Sequence, residues 1–155
     1  MPGYLKLNTD AAIDLENNRV GFGWVLRDDC GQFVAASSIP GEGASSPKEA
    51  EAMAIREALS WTKRINLHNV QIECDAQLVV QSLNHVQEVS SCDLVLLDVI
   101  DMLRSLTGVA ISYVNRTANS VAHNLAREAC SMSVRQEWVS TPPSCIVNEL
   151  CTDLS

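Results

Sequence analysis

Apolar and polar positions alternate with a period of two through the first forty residues. Leu5 and Leu7 face away from Lys6 and Asn8, which predicts a strand over residues 4–12. Val20, Phe22, Trp24 and Leu26 alternate with Gly21 and Gly23 and predict a second over 19–27. A third is expected over 32–39, with Asp28-Asp29-Cys30-Gly31 as the hairpin turn between it and the second. Three consecutive strands on short turns predict an antiparallel meander.

The period changes at Ser46. Ser46-Pro47-Lys48-Glu49 is a helix start, with serine as the cap, proline in the first position and glutamate in the third. The helix is predicted to reach about residue 64, with Ala54, Ile55, Ala58, Thr62 and Ile65 on one stripe. Residues 70–74 alternate as a strand, and helices are expected over 76–84 and 94–106. A strand over 109–114 and an amphipathic helix over 120–131 follow. The order β-β-β-α-β-α-α-β-α predicts an α/β protein with a mixed sheet and helices on its faces. From Met132 on, Trp138, Pro142, Pro143, Ile146 and Leu150 make the tail too apolar to be freely solvated. The reading is therefore one domain over 4–131 and a C-terminal extension over 132–155 that docks on it.

Composition narrows the class. A chain of 155 residues fits one domain large enough to bury a core without disulfides or structural zinc. It holds no 18-residue apolar window for a membrane span, and Met1-Pro2-Gly3-Tyr4-Leu5-Lys6 lacks the apolar run of a secretory leader. The six cysteines form no Cys-x-x-Cys pair and have no histidine at zinc-finger spacing. They read as reduced, mostly buried thiols of an intracellular protein, nuclear or cytoplasmic. The net charge of −8 argues against a domain that grips nucleic acid by its surface charge alone. A role on nucleic acid then has to rest on a local basic track or on bound metal ions.

Three carboxylates stand out, and each has an ordinary alternative. Asp10 lies late in the first strand, where aspartate is depleted, but it also suits a strand end or turn. Glu51 shares the apolar stripe of its helix with Ala54, Ile55 and Ala58, where a carboxylate is costly unless paired or bound to a cation. A glutamate at the stripe edge can also reach solvent. Asp75 directly follows a strand and precedes a helix, so it suits an N-cap as well as the strand end where α/β folds place chemistry. If the fourth strand lies beside the first, the three converge and repel one another unless divalent cations neutralise them. Hard oxygen donors suit Mg²⁺.

At this point the motifs resemble a known family. Leu7-Asn8-Thr9-Asp10-Ala11, the run from Glu51 to Leu59, and Ile72-Glu73-Cys74-Asp75-Ala76 are similar to the three acidic motifs of ribonuclease H type 1. The segment from Asn115 through Asn119 and His123 to Ala126 is similar to the fourth. The likeness covers Tyr4 to about Ala129, and it is greatest to the compact, retroelement-derived domains of plant genomes. Trp138, the Pro142-Pro143 pair, Ile146 and Leu150 resemble the C-terminal extension of that group. The short stretch over 84–93 leaves no room for the basic protrusion of some members. His123 departs from the pattern, since it stands where the family has an aspartate, though the plant group often carries histidine there. Imidazole as a ligand suits Mn²⁺ better than Mg²⁺. His123 also sits at the margin of the apolar face of its helix, where a surface histidine needs no function.

The resemblance implies a ribonuclease H-like fold, a five-stranded mixed sheet of order 3-2-1-4-5 with helices on both faces. It implies metal-dependent endonucleolytic hydrolysis of the RNA strand of RNA–DNA hybrids, with two Mg²⁺ or Mn²⁺ ions roughly 3.5–4 Å apart. Asp10, Glu51, Asp75 and His123 would be the catalytic and metal residues. Asn8 and Asn119 would be donors to the 2′-hydroxyl that marks RNA. Arg116, with Arg127 and Arg27, would serve the phosphates or be ordinary surface arginines. The expected partner is an RNA–DNA hybrid, with no membrane, no small-molecule cofactor and a monomeric chain. The competing reading is a catalytically silent domain of the same fold that binds nucleic acid or protein, favoured by the acidic balance and by His123.

Overall fold

Three hairpin-linked strands open the chain: β1 (Leu5–Asp14), β2 (Arg19–Arg27) and β3 (Phe33–Glu42). The computed structural model describes residues 3–44, 46–91 and 93–152. The meander is the one the alternation predicts, with longer strands. Ala12–Asp14 continue pairing with Arg19–Gly21, and β3 runs on through Pro40 and Gly41. The turn between β2 and β3 closes on Asp28, whose Oδ1 accepts from the amides of Cys30 and Gln32. Gly31 takes a φ of +80° there, which glycine adopts without steric cost.

Next come α1 (Pro47–Arg64), β4 (Val70–Cys74), α2 (Gln77–Asn84), α3 (Leu94–Ser105), β5 (Val109–Tyr113) and α4 (Ser120–Ala129). Ser46 caps α1 by accepting from the Glu49 amide at 3.1 Å. The strand β4 lies parallel between β1 and β5, so Thr9, midway along β1, stands level with Cys74 and Tyr113, the last residues of β4 and β5.

The predicted five-stranded sheet requires one correction. The sheet has six strands, in the order β5-β4-β1-β2-β3-β6. The added β6 (Gln136–Val139) pairs antiparallel with Ala35–Ser38 of β3. Four residues, mostly exposed and half of them polar, carry no period-two signature, because this strand is held by backbone pairing rather than by an apolar face. The chain then forms a short 3₁₀ turn (Ser144–Ile146) and α5 (Val147–Thr152).

Helices cover both faces. On one, α1 lays Ala54, Ile55, Ala58 and Leu59 over β1 and β2, and Trp61 meets Trp24 with ring centroids 4.3 Å apart. Ile65, predicted on that stripe, is instead 44% exposed, because α1 ends at Arg64 and leaves it past the sheet. On the other face α4 presses so close that a Cβ on Gly23 would lie 2.5 Å from the Ala126 nitrogen and 2.7 Å from the Ala122 carbonyl oxygen. Below α4, Val25, Ala36, Val121, Leu125 and Ile146 form a second apolar cluster. No helix among the described residues is long and apolar enough to cross a membrane.

The cysteines are less buried than expected. Cys74 is buried, Cys130 and Cys145 are partly so, and Cys30 and Cys151 are exposed because they sit in a hairpin turn and in the last helix. None of these five is in a disulfide; Cys92 lies outside the described residues.

Candidate metal centre

The parallel register sets the site. One residue past the level row of Thr9, Cys74 and Tyr113 come Asp10, still in β1, and Asp75, the first residue after β4. Asp10 pairs with Gly23, on the side where α4 packs. Glu51 reaches the same point from the second turn of α1. One oxygen from each of Asp10, Glu51 and Asp75 lies within 4.8 Å of the others, so the three predicted carboxylates do meet.

Their surroundings make charge expensive. Asp10 is 0% exposed, and burial raises its pKa, with the Asp75 charge adding to the effect. Hydrogen bonding with Glu51 and His123 and the Ala11 amide pull the other way. Glu51 is pushed up to about 10, first by burial and then by the charge of Asp10 and the hydrogen bond with it. The Cys74 thiol below is driven well above its ordinary range by burial and by the charge of Glu51. Asp10 Oδ1 and Glu51 Oε2 are buried with no donor from the rest of the protein. Buried oxygens without donors, in a cluster of three carboxylates, fit a hard divalent cation.

His123 enters from α4, and its Nδ1 lies 2.8 Å from Asp10 Oδ2. It is not among the groups whose ligand atoms converge within 4.8 Å. A reverse transcriptase-like family model matches residues 8–129, a span holding all four positions. The chain belongs to this family of ribonuclease H-like domains. Among solved structures, ribonuclease H1 of Halobacterium salinarum is 26% identical with a TM-score of 0.73, over 82% of this chain and 97% of that one. The ribonuclease H domain from Mycobacterium tuberculosis is 19% identical with a TM-score of 0.71, over 82% and 93%. LC11-RNase H1, isolated from compost and solved in complex with an RNA/DNA hybrid, is 19% identical with a TM-score of 0.63, over 81% and 96%. At that identity the last two show the fold alone. No curated protein matches the sequence.

In this ribonuclease H-like domain the other predicted residues lie at unequal depths. Asn8 and Asn119, expected as donors to substrate, are each 1% exposed. Asn8 Nδ2 donates to Asn119 Oδ1 and to Glu73 Oε1, both at 3.1 Å, and Asn119 Nδ2 donates to the Thr9 carbonyl at 3.0 Å. They tie β1 to the start of α4 and do not face solvent. Arg27 is buried, which removes it from any surface phosphate track, whereas Arg127 is exposed one turn beyond His123. Arg116 is 71% exposed and its Nε lies 3.3 Å from Asp75 Oδ2.

A cleft of about 380 Å³ opens beside the carboxylates, and Glu51, Asp75, Lys48, Leu78, Tyr113 and Arg116 are among the residues that line it. Lys48 and Tyr113 escaped the reading of the sequence. Tyr113 had a signal, an aromatic residue near the end of a predicted strand; the register aligns it with Cys74, beside the three carboxylates. Lys48 looked like an ordinary polar residue in the first turn of a helix.

Proposed function

We propose that this domain is a divalent-metal-dependent endonuclease that hydrolyses the RNA strand of RNA–DNA hybrids. The observation that carries this reading is the convergence of Asp10, Glu51 and Asp75, with two of their buried oxygens lacking donors, at the edge of an open cleft. Asp10, Glu51 and Asp75 would hold Mg²⁺ or Mn²⁺. When bound, such a cation would supply neutralisation of the converging carboxylates, acidification of water and stabilisation of charge developing at the phosphate.

The chain's own residues have separate tasks. Glu51, whose affinity for a proton is raised to about 10, gives up that proton to serve as a ligand. Arg116, fixed beside Asp75 and open to solvent, pairs with a backbone phosphate and sets the scissile bond over the carboxylates. Lys48 adds a second positive charge along the cleft, and the exposed ring of Tyr113 gives a sugar or base a flat surface. With 11 basic against 19 acidic residues, the grip on phosphate is weak and turnover is slow.

The test is incubation of the domain with a hybrid labelled in its RNA strand, in Mg²⁺ and separately in Mn²⁺, beside Asp10→Asn. Cleavage that the substitution abolishes is the expected result. Binding of the hybrid without cleavage in either metal would instead make the domain a silent binding module.

A further inference from the structure

His123 joins the site differently from the carboxylates. Its Nδ1 meets Asp10 Oδ2 at 2.8 Å. One hydrogen is shared between Nδ1 and Oδ2, so Nδ1 is engaged by Asp10 whichever group carries it, and Nε2 is the ring's remaining nitrogen. The two nitrogens of an imidazole point apart. With Nδ1 engaged by Asp10, Nε2 is directed away from that carboxylate. Neither ring nitrogen converges with all three carboxylates within 4.8 Å, so a cation seated among Asp10, Glu51 and Asp75 finds Nδ1 engaged by Asp10 and no imidazole nitrogen in the cluster.

The helix that carries His123 is also fastened for this contact. Asn119 sits four residues, about one turn, before it. Through Asn8 and the Thr9 carbonyl, Asn119 grips the two residues that precede Asp10 on β1. Beside Asp10, Gly23 admits the backbone of α4 at Ala122 and Ala126, on either side of His123. Strand and helix are thus joined on both sides of the His123–Asp10 hydrogen bond.

We infer that His123 is a positioning residue, not a metal ligand: it orients the Asp10 carboxylate through Nδ1 and is itself held by the Asn8–Asn119 clasp. The inference rests on the metal-dependent reading above. It leaves an all-oxygen protein ligand set, so the Mn²⁺ preference that a ligating histidine would bring has no source here.

Pulsed electron paramagnetic resonance of the unaltered chain with Mn²⁺ gives a direct test, because a coordinated imidazole imposes nitrogen modulation on the echo. The expected spectrum has bound Mn²⁺ and no such modulation. Asn in place of the ring keeps an amide donor, so His123→Asn should hold Mn²⁺ nearly as well as the parent, whereas His123→Ala should bind about tenfold more weakly. Asn119→Ala should move the affinity in the same direction as His123→Ala. If Asn119→Ala fails to fold, the echo from the unaltered chain still decides. Nitrogen modulation that disappears in His123→Ala overturns the inference, as does equal loss in the Asn and Ala variants. Absence of Mn²⁺ binding, with Asp10→Asn indistinguishable from the parent, would bring down the metal-dependent reading itself and this inference with it.

Discussion

Asp10 on β1 and Glu51 on α1 bring their carboxyl groups together, and each keeps one buried oxygen, Oδ1 and Oε2, that receives no donor from the rest of the protein. The arrangement strains the metal-free fold in a pH-dependent way. Glu51 titrates near 4.5 when unfolded and near 10 when folded. Its contribution to stability is therefore complete below about pH 4.5 and is lost as pH rises toward 10. Glu51→Gln keeps the shape and removes the ionisation. We expect it to stabilise the metal-free protein by about 1–3 kcal/mol at pH 8, a figure reduced because cleft water reaches part of the side chain, and by much less at pH 5. Urea unfolding with chelator at the two pH values measures this, and equal stability of parent and variant at pH 8 would count against a strained Glu51.

On the proposed metal-dependent reading, the same proton gives cation binding a pH dependence. Glu51 is largely protonated at neutral pH in the metal-free protein and must ionise to become a ligand, so affinity should rise with pH between about 5 and 9. Calorimetric titration with Mg²⁺ at pH 7, in two buffers of different ionisation enthalpy, should report release of close to one proton per cation. No release would mean that Glu51 stays protonated and outside the metal shell.

The elements were legible in the sequence from periodicity, whereas the carboxylate cluster was legible only through the resemblance of its motifs to a known family. Alternation gave the meander and the 3.6-residue stripe gave α1, but no local pattern places β4 beside β1; the structure shows that pairing, which brings Asp10 level with Asp75. Strand ends were less legible. Pro40 and Gly41 look like breakers, yet β3 carries them because its outer side has no neighbouring strand beyond Ser38, so a proline removes no cross-strand bond there. Asn8 and Asn119 look polar and available in sequence; only the folded chain shows them spent on each other. A side-chain pair separated by 111 positions leaves no local trace.

Gly23 lets α4 sit against the sheet. An added Cβ would meet backbone atoms at 2.5 and 2.7 Å, and backbone does not yield as a side-chain tip does. Gly23→Ala should force α4 outward, cost about 1–3 kcal/mol and pull His123 away from Asp10. A lowered urea midpoint together with weakened Mg²⁺ binding is the expected pair of results. Unchanged values of both would show that the helix can shift without disturbing the site.

Ile146 tests whether the extension belongs to the core. It is fully buried in the cluster with Val25, Ala36, Val121 and Leu125, and β6 pairs with β3 just upstream of it. Ile146→Ala should destabilise the whole domain by about 2–5 kcal/mol in a single unfolding transition. A separate early transition that leaves the remainder as stable as before would instead make the extension an appendage.

Arg116 offers a way to test the proposed grip on substrate separately from the proposed metal site. Its pair with Asp75 is exposed on the arginine side, so Arg116→Ala should change stability by no more than about 1 kcal/mol. Its effect should appear on hybrid binding, measured by fluorescence anisotropy in an Asp10→Asn background so that the RNA stays intact. A phosphate contact carries no sequence information, so affinity should fall alike for hybrids of different sequence, and the salt dependence should lose a slope of about one. Arg116→Lys keeps the charge but not the two-pronged geometry, and should fall between the two. If the alanine variant binds hybrid with the parent's affinity and salt slope, Arg116 does no more than neutralise Asp75, and Lys48 becomes the next cation to test.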